Sequence, residues 1–403
     1  MPSLSPFRGL RYDPAVVRLD DVIAPPYDVI GPAERSRLAS RHPANSVLVE
    51  VPEADLSSGR DRYQVAADLL AQWRASGLVR RDLEPALYPY AMTTPSGHRT
   101  IGVLGALGLP DAGGGAPPDV LPHEETLPKP KSDRLDLLRA TKTNLSPIWG
   151  LSLSRGLTET FAPDGPAAAR AVDDDGVLHE LWVLRDPAAI GAIREAVGGS
   201  PVVIADGHHR YETARTYQRE VRDSNGGRHG DHDAVMALVV ELAEDQLHVR
   251  AIHRMVHGLP AGVDLLSLLD RYFEASRAGD PGEGVAGALE RDGTLALVTS
   301  EGTWALTVRP GAFDEAATDL EAGLVDLALR DVPGVSVSYS AQWREAVDAI
   351  GTHAQAAIIL RPVSVGQISS WAGARRKMPP KTTYFSPKPR TGMVFRMLED
   401  PTT

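Results

Sequence analysis

The stretch Pro201–Glu220, PVVIADGHHRYETARTYQRE, constrains this chain more than any other. Val202–Ala205 is an apolar run of strand length, Asp206-Gly207 interrupts it, and Tyr211–Glu220 reads as a helix. Strand, glycine turn and helix in that order lay out an anion-binding site. A helix N-terminus offers backbone N–H groups and partial positive charge. Gly207 allows a sharp turn or the close approach of a ligand. Arg210 adds a planar fork of donors suited to phosphate or carboxylate. Asp206, His208 and His209 add groups that move protons or hold a metal. An isolated Asp-Gly would be ordinary turn punctuation with Asp206 as a helix cap. The full D-G-H-H-R-Y string between strand and helix favours the binding reading.

Other polar clusters have weaker signals. Leu121–Asn144, LPHEETLPKPKSDRLDLLRATKTN, puts His123 and Glu124 in a proline-bracketed loop, with Lys129, Lys131, Asp133 and Arg134 following. A base and several cations on one loop suit an anionic substrate, while a solvated loop leading into a helix explains the same residues blandly. Lys381–Lys388, KTTYFSPK, gathers lysines and hydroxyls that can meet phosphate, or it is a polar turn. In Pro25–Ile30, PPYDVI, Asp28 is a candidate ligand or a helix cap, and a capping or structural role is favoured. Adjacent His208 and His209 cannot easily face one metal from a helix. A metal-dependent activity through His123, His208 and His209 is therefore a minority reading.

Elsewhere the pattern alternates. Strands are expected at Leu48–Val51, Ala86–Met92, Thr100–Leu107, Leu178–Leu184, Ala234–Leu242, Val249–Val256, Thr294–Thr299, Thr303–Val308, Ala356–Leu360 and Met393–Met397. Helices are expected at Arg60–Ser76, Asp133–Thr141, Ala188–Ala196, Leu265–Tyr272 and Val365–Ala374, with Asp223–Asp233 as a flexible polar loop. The class is α+β, or mixed α/β. The expected division is an N-terminal α/β subdomain (1–110), a core with the DGHHR motif (111–260), a further α/β subdomain (261–360) and a C-terminal segment returning to the core (361–403).

Composition narrows the function classes. Net charge is −11, which argues against a broad nucleic-acid footprint. The chain has no cysteine, which excludes disulfides, thiol catalysis and zinc–thiolate sites. The start, MPSLSPFRGLRYD, lacks a signal-peptide core, and no run approaches the roughly 18 apolar residues of a membrane span, so a cytoplasmic, membrane-independent protein is expected. Phosphate-loop, dinucleotide, nucleophile-elbow and H-E-x-x-H motifs are missing.

FRGLRYDP with VIAPPYDVI, LPHEETLPKPKSDRLDLLRATKTNLSPI, ADGHHRYETA and MPPKTTYFSPK together resemble the domain-of-unknown-function 1015 family over essentially the whole chain. More distantly, D-G-H-H-R is similar to the D-G-x-x-R segment of the ParB/sulfiredoxin-like superfamily, which includes free serine kinases. That resemblance implies a ParB/sulfiredoxin-like nucleotide-binding core with additional α/β subdomains. It implies a phosphate and catalytic loop made of Asp206, Gly207, His208, His209 and Arg210. An upstream acidic base is implied too, and Glu124 is the candidate, with His123 beside it. Tyr211, Thr213, Lys131, Arg134, Lys381, Thr383 and Lys388 complete the expected nucleotide-binding set. A sulfiredoxin role is excluded by the missing cysteine, and a ParB role is disfavoured by the acidic charge.

The expected function is a phosphotransferase on a small hydroxylated metabolite, with L-serine as first guess, using ATP or ADP and Mg²⁺. A phosphohydrolase at the same site and a non-catalytic nucleotide-binding regulatory module are the alternatives. A homodimer is compatible with the sequence, though no motif in it requires one.

Overall fold

The computed structural model describes residues 1–55, 57, 59–111, 119–122, 132–161, 163, 165–289 and 294–398. It divides into two compact units, Met1–His248 with Pro387–Thr403, and Val249–Ser386. Among the described residues, no helix is long and apolar enough to cross a membrane.

The first unit is built on a nine-stranded sheet in the order Val120–Pro122, Val202–Asp206, Ile148–Ser152, Ala234–Glu241, Arg99–Gly108, Tyr88–Thr93, Leu178–Leu181, Ala169–Val172, with Leu4–Ser5 also on Arg99–Gly108. The sheet is mixed. Val202–Asp206 runs parallel to Val120–Pro122 and antiparallel to Ile148–Ser152, while Ala234–Glu241 runs parallel to Ile148–Ser152. Strands so central are covered on both faces, which is why Ala234–Glu241 is a continuous apolar run, AVMALVVE. Backbones approach closely at Gly102, where an added Cβ would sit 2.5 Å from the Val239 carbonyl oxygen. Leu107, Ile148, Val202, Ile204, Val235 and Val239 form the centre of the core, and Tyr211 and Ala214 pack on it from the helix His208–Asn225.

Most expected elements are present, with altered ends. The helix Arg62–Ala75 starts where the Asp61 carboxylate accepts the N–H groups of Tyr63 and Gln64, and it buries Ala66, Leu70 and Trp73. The helix after the DGHHR turn begins at His208 rather than Tyr211 and runs to Asn225, ending on left-handed Gly226. It therefore takes up the start of the polar stretch expected to be a loop, and Asp231–Asp233 in that stretch is a 3₁₀ turn.

Leu48–Val51 is not a strand. Val47–Glu50 forms a single helical turn. Asn45 starts it, accepting the Val47 N–H on its side chain at 2.9 Å and donating to the Asp21 carbonyl at 2.8 Å. An apolar run this short satisfies either period, and local side-chain hydrogen bonding decides.

The C-terminal segment is tied into the first unit. Phe395–Met397 pairs with Gly9–Leu10 on one side and Thr143–Asn144 on the other. Arg390 binds Asp173, which also accepts from His179 Nε2 at 2.8 Å. The Arg390 N–H donates to the Tyr90 oxygen at 3.2 Å, so the Tyr90 hydroxyl donates to His179 Nδ1 at 2.7 Å. Burial keeps His179 neutral, below its ordinary pKa, although Asp173 pulls the other way.

The second unit has an antiparallel six-stranded sheet in the order Phe273–Gly279, Gly302–Val308, Thr294–Thr299, Ala356–Ile359, His253–His257, Ser336–Ser340. The hairpin expected around Glu301-Gly302 is its second and third strand. Fully buried Arg254 donates to Asp326 at 3.1 Å and to the carbonyls of Ile252 and Lys381 at 2.7 Å each.

Candidate functional site

The site is assembled at the end of the strand Val202–Asp206. Val202, Val203 and Ile204 pair with Ser152, Leu151 and Gly150, then the register slips and Asp206 stands opposite Trp149. Such a bulge re-aims the side chain that follows it. Gly207 comes next at φ 87°, as the N-cap residue of the helix His208–Asn225. The left-handed backbone would cost a residue with a Cβ about 1–2 kcal/mol. An added Cβ would also lie 3.0 Å from the Arg210 guanidinium.

Asp206 is the hub. Arg210 Nη2 donates to Oδ2 at 2.6 Å, and Lys388 Nζ donates to Oδ1 at 2.5 Å. Lys388 also donates to Asp28 at 3.1 Å. The Arg210 side chain is 10% exposed and that of Lys388 9%, so both cations are largely withdrawn from water. Arg210 Nη1 donates to the Pro147 carbonyl, while its Nε finds no partner among the described residues. Burial opposes the Arg210 charge, but Asp206, then Asp28, Tyr27 and Glu50, outweigh it and hold the guanidinium above its usual pKa. The Tyr27 ring lies 6.0 Å from Arg210 and 4.3 Å from Arg134, so one aromatic face serves two cations.

A cavity of about 50 Å³ adjoins this turn. Its polar lining is Tyr27, Glu50, Arg134, Ser146, Arg210 and Thr213, and Leu137, Leu145 and Val235 are among its apolar walls. Glu50 is 1% exposed. Its Oε1 accepts the Ser146 hydroxyl at 2.9 Å, and its Oε2 has no partner among the described residues. Arg134 donates to the Glu50 carbonyl at 2.7 Å and to the Asp133 carboxylate at 2.9 Å.

The structure thus gathers Asp206, Gly207, His208, His209, Arg210, Thr213, Arg134 and Lys388 at one place in the first unit. Tyr211 is one of them in sequence only, since its side chain is 7% exposed and packed in the apolar core. Lys381 and Thr383 belong to the second unit, where the Lys381 carbonyl accepts from Arg254. His123, Glu124, Lys129 and Lys131 lie outside the described residues. The sequence reading missed Tyr27, Glu50 and Ser146. A signal for Glu50 existed: it is a lone carboxylate inside the apolar run LVEV. Asp28 is an ion-pair partner of Lys388 and caps no helix by its side chain.

A resident Mg²⁺ does not fit these groups. Among the described residues, no three His, Asp or Glu side chains converge as a metal site. Asp28 and Asp206 share a partner, and that partner is the Lys388 ammonium rather than a metal ion.

Among functionally curated proteins, none matches this sequence. Several solved structures are similar at low identity. A free serine kinase variant in complex with ADP is 12% identical, with 70% of this chain and 89% of that chain covered and a TM-score of 0.38. A conserved hypothetical protein from Pyrococcus furiosus is 11% identical, over 68% of this chain and 90% of that one, with a TM-score of 0.36. C-terminally truncated SbnI from Staphylococcus aureus is 14% identical, over 68% and 82%, with a TM-score of 0.37. The sequence also matches the family described as protein of unknown function (DUF1015) over residues 4–328, and the chain belongs to that family.

Proposed function

We propose that the first unit binds nucleotide phosphates at the Gly207 turn and transfers a phosphoryl group to a small hydroxylated metabolite. The observation that carries this reading is the convergence of two largely buried cations, Arg210 and Lys388, on Asp206 at the N-terminus of an 18-residue helix. Buried cations and a helix dipole are what stabilise the spreading charge of a transferring phosphoryl group. Asp206 holds both cations in place, so they need no reorganisation when an anion arrives. Thr213 supplies a hydroxyl at the adjoining cavity. In this reading Glu124 accepts the proton of the attacking hydroxyl, and His123 and His209 are the further groups that can carry it. ATP or ADP is the donor and L-serine the first acceptor to test.

The test is product analysis by mass spectrometry after incubation with ATP or ADP, Mg²⁺ and a pool of hydroxylated metabolites including serine. A phosphorylated metabolite should form, and Asp206→Ala should abolish it. Arg210→Ala should weaken nucleotide binding by about tenfold or more, the value of one charge-assisted hydrogen-bonding group. Glu124→Gln should leave nucleotide binding intact and remove turnover. Phosphate appearing only as the free ion would make the protein a phosphohydrolase. Nucleotide binding with no product at all would overturn transfer in favour of a binding module.

A further inference from the structure

Two residues that line the cavity beside the turn carry polar atoms with unmet demands. Glu50 Oε2 is a buried acceptor without a donor, and Arg210 Nε is a buried donor without an acceptor, among the described residues. Both residues line the same space. Buried polar groups are nearly always paired, and each exception calls for an explanation. Charge sharpens the point. Asp206 and Asp28 are met by Lys388 and Arg210, and Asp133 is met by Arg134 at 2.8 Å and Arg62 at 2.7 Å. Among the described residues the Glu50 carboxylate accepts from the Ser146 hydroxyl alone, and Arg134 reaches its backbone carbonyl instead. Arg210 feels the Glu50 charge through space, but among the described residues no cation pairs with this 1% exposed carboxylate, which is costly unless something charged joins it.

We propose that this cavity is a subsite for the primary ammonium group of a small amine that also carries an oxygen acceptor. The ammonium donates to Glu50 Oε2 and compensates its charge, and the neighbouring oxygen accepts from Arg210 Nε. A volume of about 50 Å³ admits a group of a few heavy atoms. A divalent ion is a poor fit, since Arg134 and Arg210 share the lining and only one carboxylate oxygen is open. A quaternary ammonium has no N–H to give. Arg210 would then hold the amine through Nε while its Nη2 stays on Asp206, coupling the subsite to the phosphate turn. The assignment of this amine to the acceptor substrate rests on the phosphotransferase reading, whereas the subsite itself does not.

Calorimetric titration of the full chain with ethanolamine, choline and ethylene glycol, with and without ADP, tests it. Ethanolamine should bind saturably. Choline and ethylene glycol should bind at least about tenfold more weakly, having lost the charged N–H donors. Glu50→Gln, nearly isosteric, should erase the preference. Equal binding of ethanolamine and choline by the unmodified protein would overturn the subsite, whether or not the variant folds. A preference that survives Glu50→Gln would overturn it as well. The ADP titration keeps the two ideas apart: amine discrimination without ADP binding would sink the phosphate reading alone, and ADP binding without discrimination would sink the subsite alone.

Discussion

Gly207 is where a single side chain decides the site. Gly207→Ala should cost about 1–2 kcal/mol from its left-handed backbone, and it should weaken nucleotide binding by displacing Arg210. Thermal unfolding and ADP titration of one preparation read both effects; an unchanged ADP affinity would remove Gly207 from the site. At the same scale, His253 sets a pH dependence in the second unit. It is 6% exposed and its Nδ1 accepts the Leu360 N–H at 3.2 Å. Burial first, then Arg254 and Arg250, pull its pKa down to about 4. The unfolded value is near 6.5. Between those values the unfolded chain binds more protons, so stability rises with pH. The contribution is complete above about pH 6.5 and falls by up to about 3 kcal/mol as pH drops to about 4. Urea unfolding at pH 7.0 and 4.5 should show this loss, and His253→Gln should flatten it. Equal pH dependence in both proteins would refute the assignment.

Elements divide by how much of their signal is local. The strand–glycine–helix order was legible because an apolar run, a turn residue and a helical stripe follow one another without ambiguity. The helix Arg62–Ala75 was equally legible, since its buried residues recur at helical spacing. Its cap makes a local prediction: Asp61→Ala should cost about 1 kcal/mol, measured as a lower urea midpoint, because two N–H groups lose their acceptor. The strand expected at Leu48–Val51 failed because four apolar-biased residues carry no usable period. The helix His208–Asn225 ran past its expected end because its last polar turn is held by Arg222 on Asp233 at 2.7 Å, a contact that charge composition alone reads as loop.

Across the whole molecule, the segment that follows the second unit completes the first. Pro387–Thr403 returns to supply Lys388 to Asp206, Arg390 to Asp173 and a strand between Gly9–Leu10 and Thr143–Asn144. Arg396, 3% exposed, donates to the carbonyls of Asp231 and Ala234. Ending the chain at Ser386 should therefore strip the first unit of its cooperative thermal transition, read by near-ultraviolet circular dichroism. A truncated chain that keeps that transition would show the return to be dispensable. The sequence by itself determined the mixed α and β class and the strand–glycine–helix turn at Asp206–Arg210, because strand period, helix period and glycine's backbone freedom act over a few neighbouring residues. The tertiary structure alone decided that Lys388 joins Asp206, that Tyr27 lies beneath two arginines, and that Glu50 faces a cavity with Arg210. Those encounters join residues far apart in the chain, and which buried charges meet depends on how the strands order themselves.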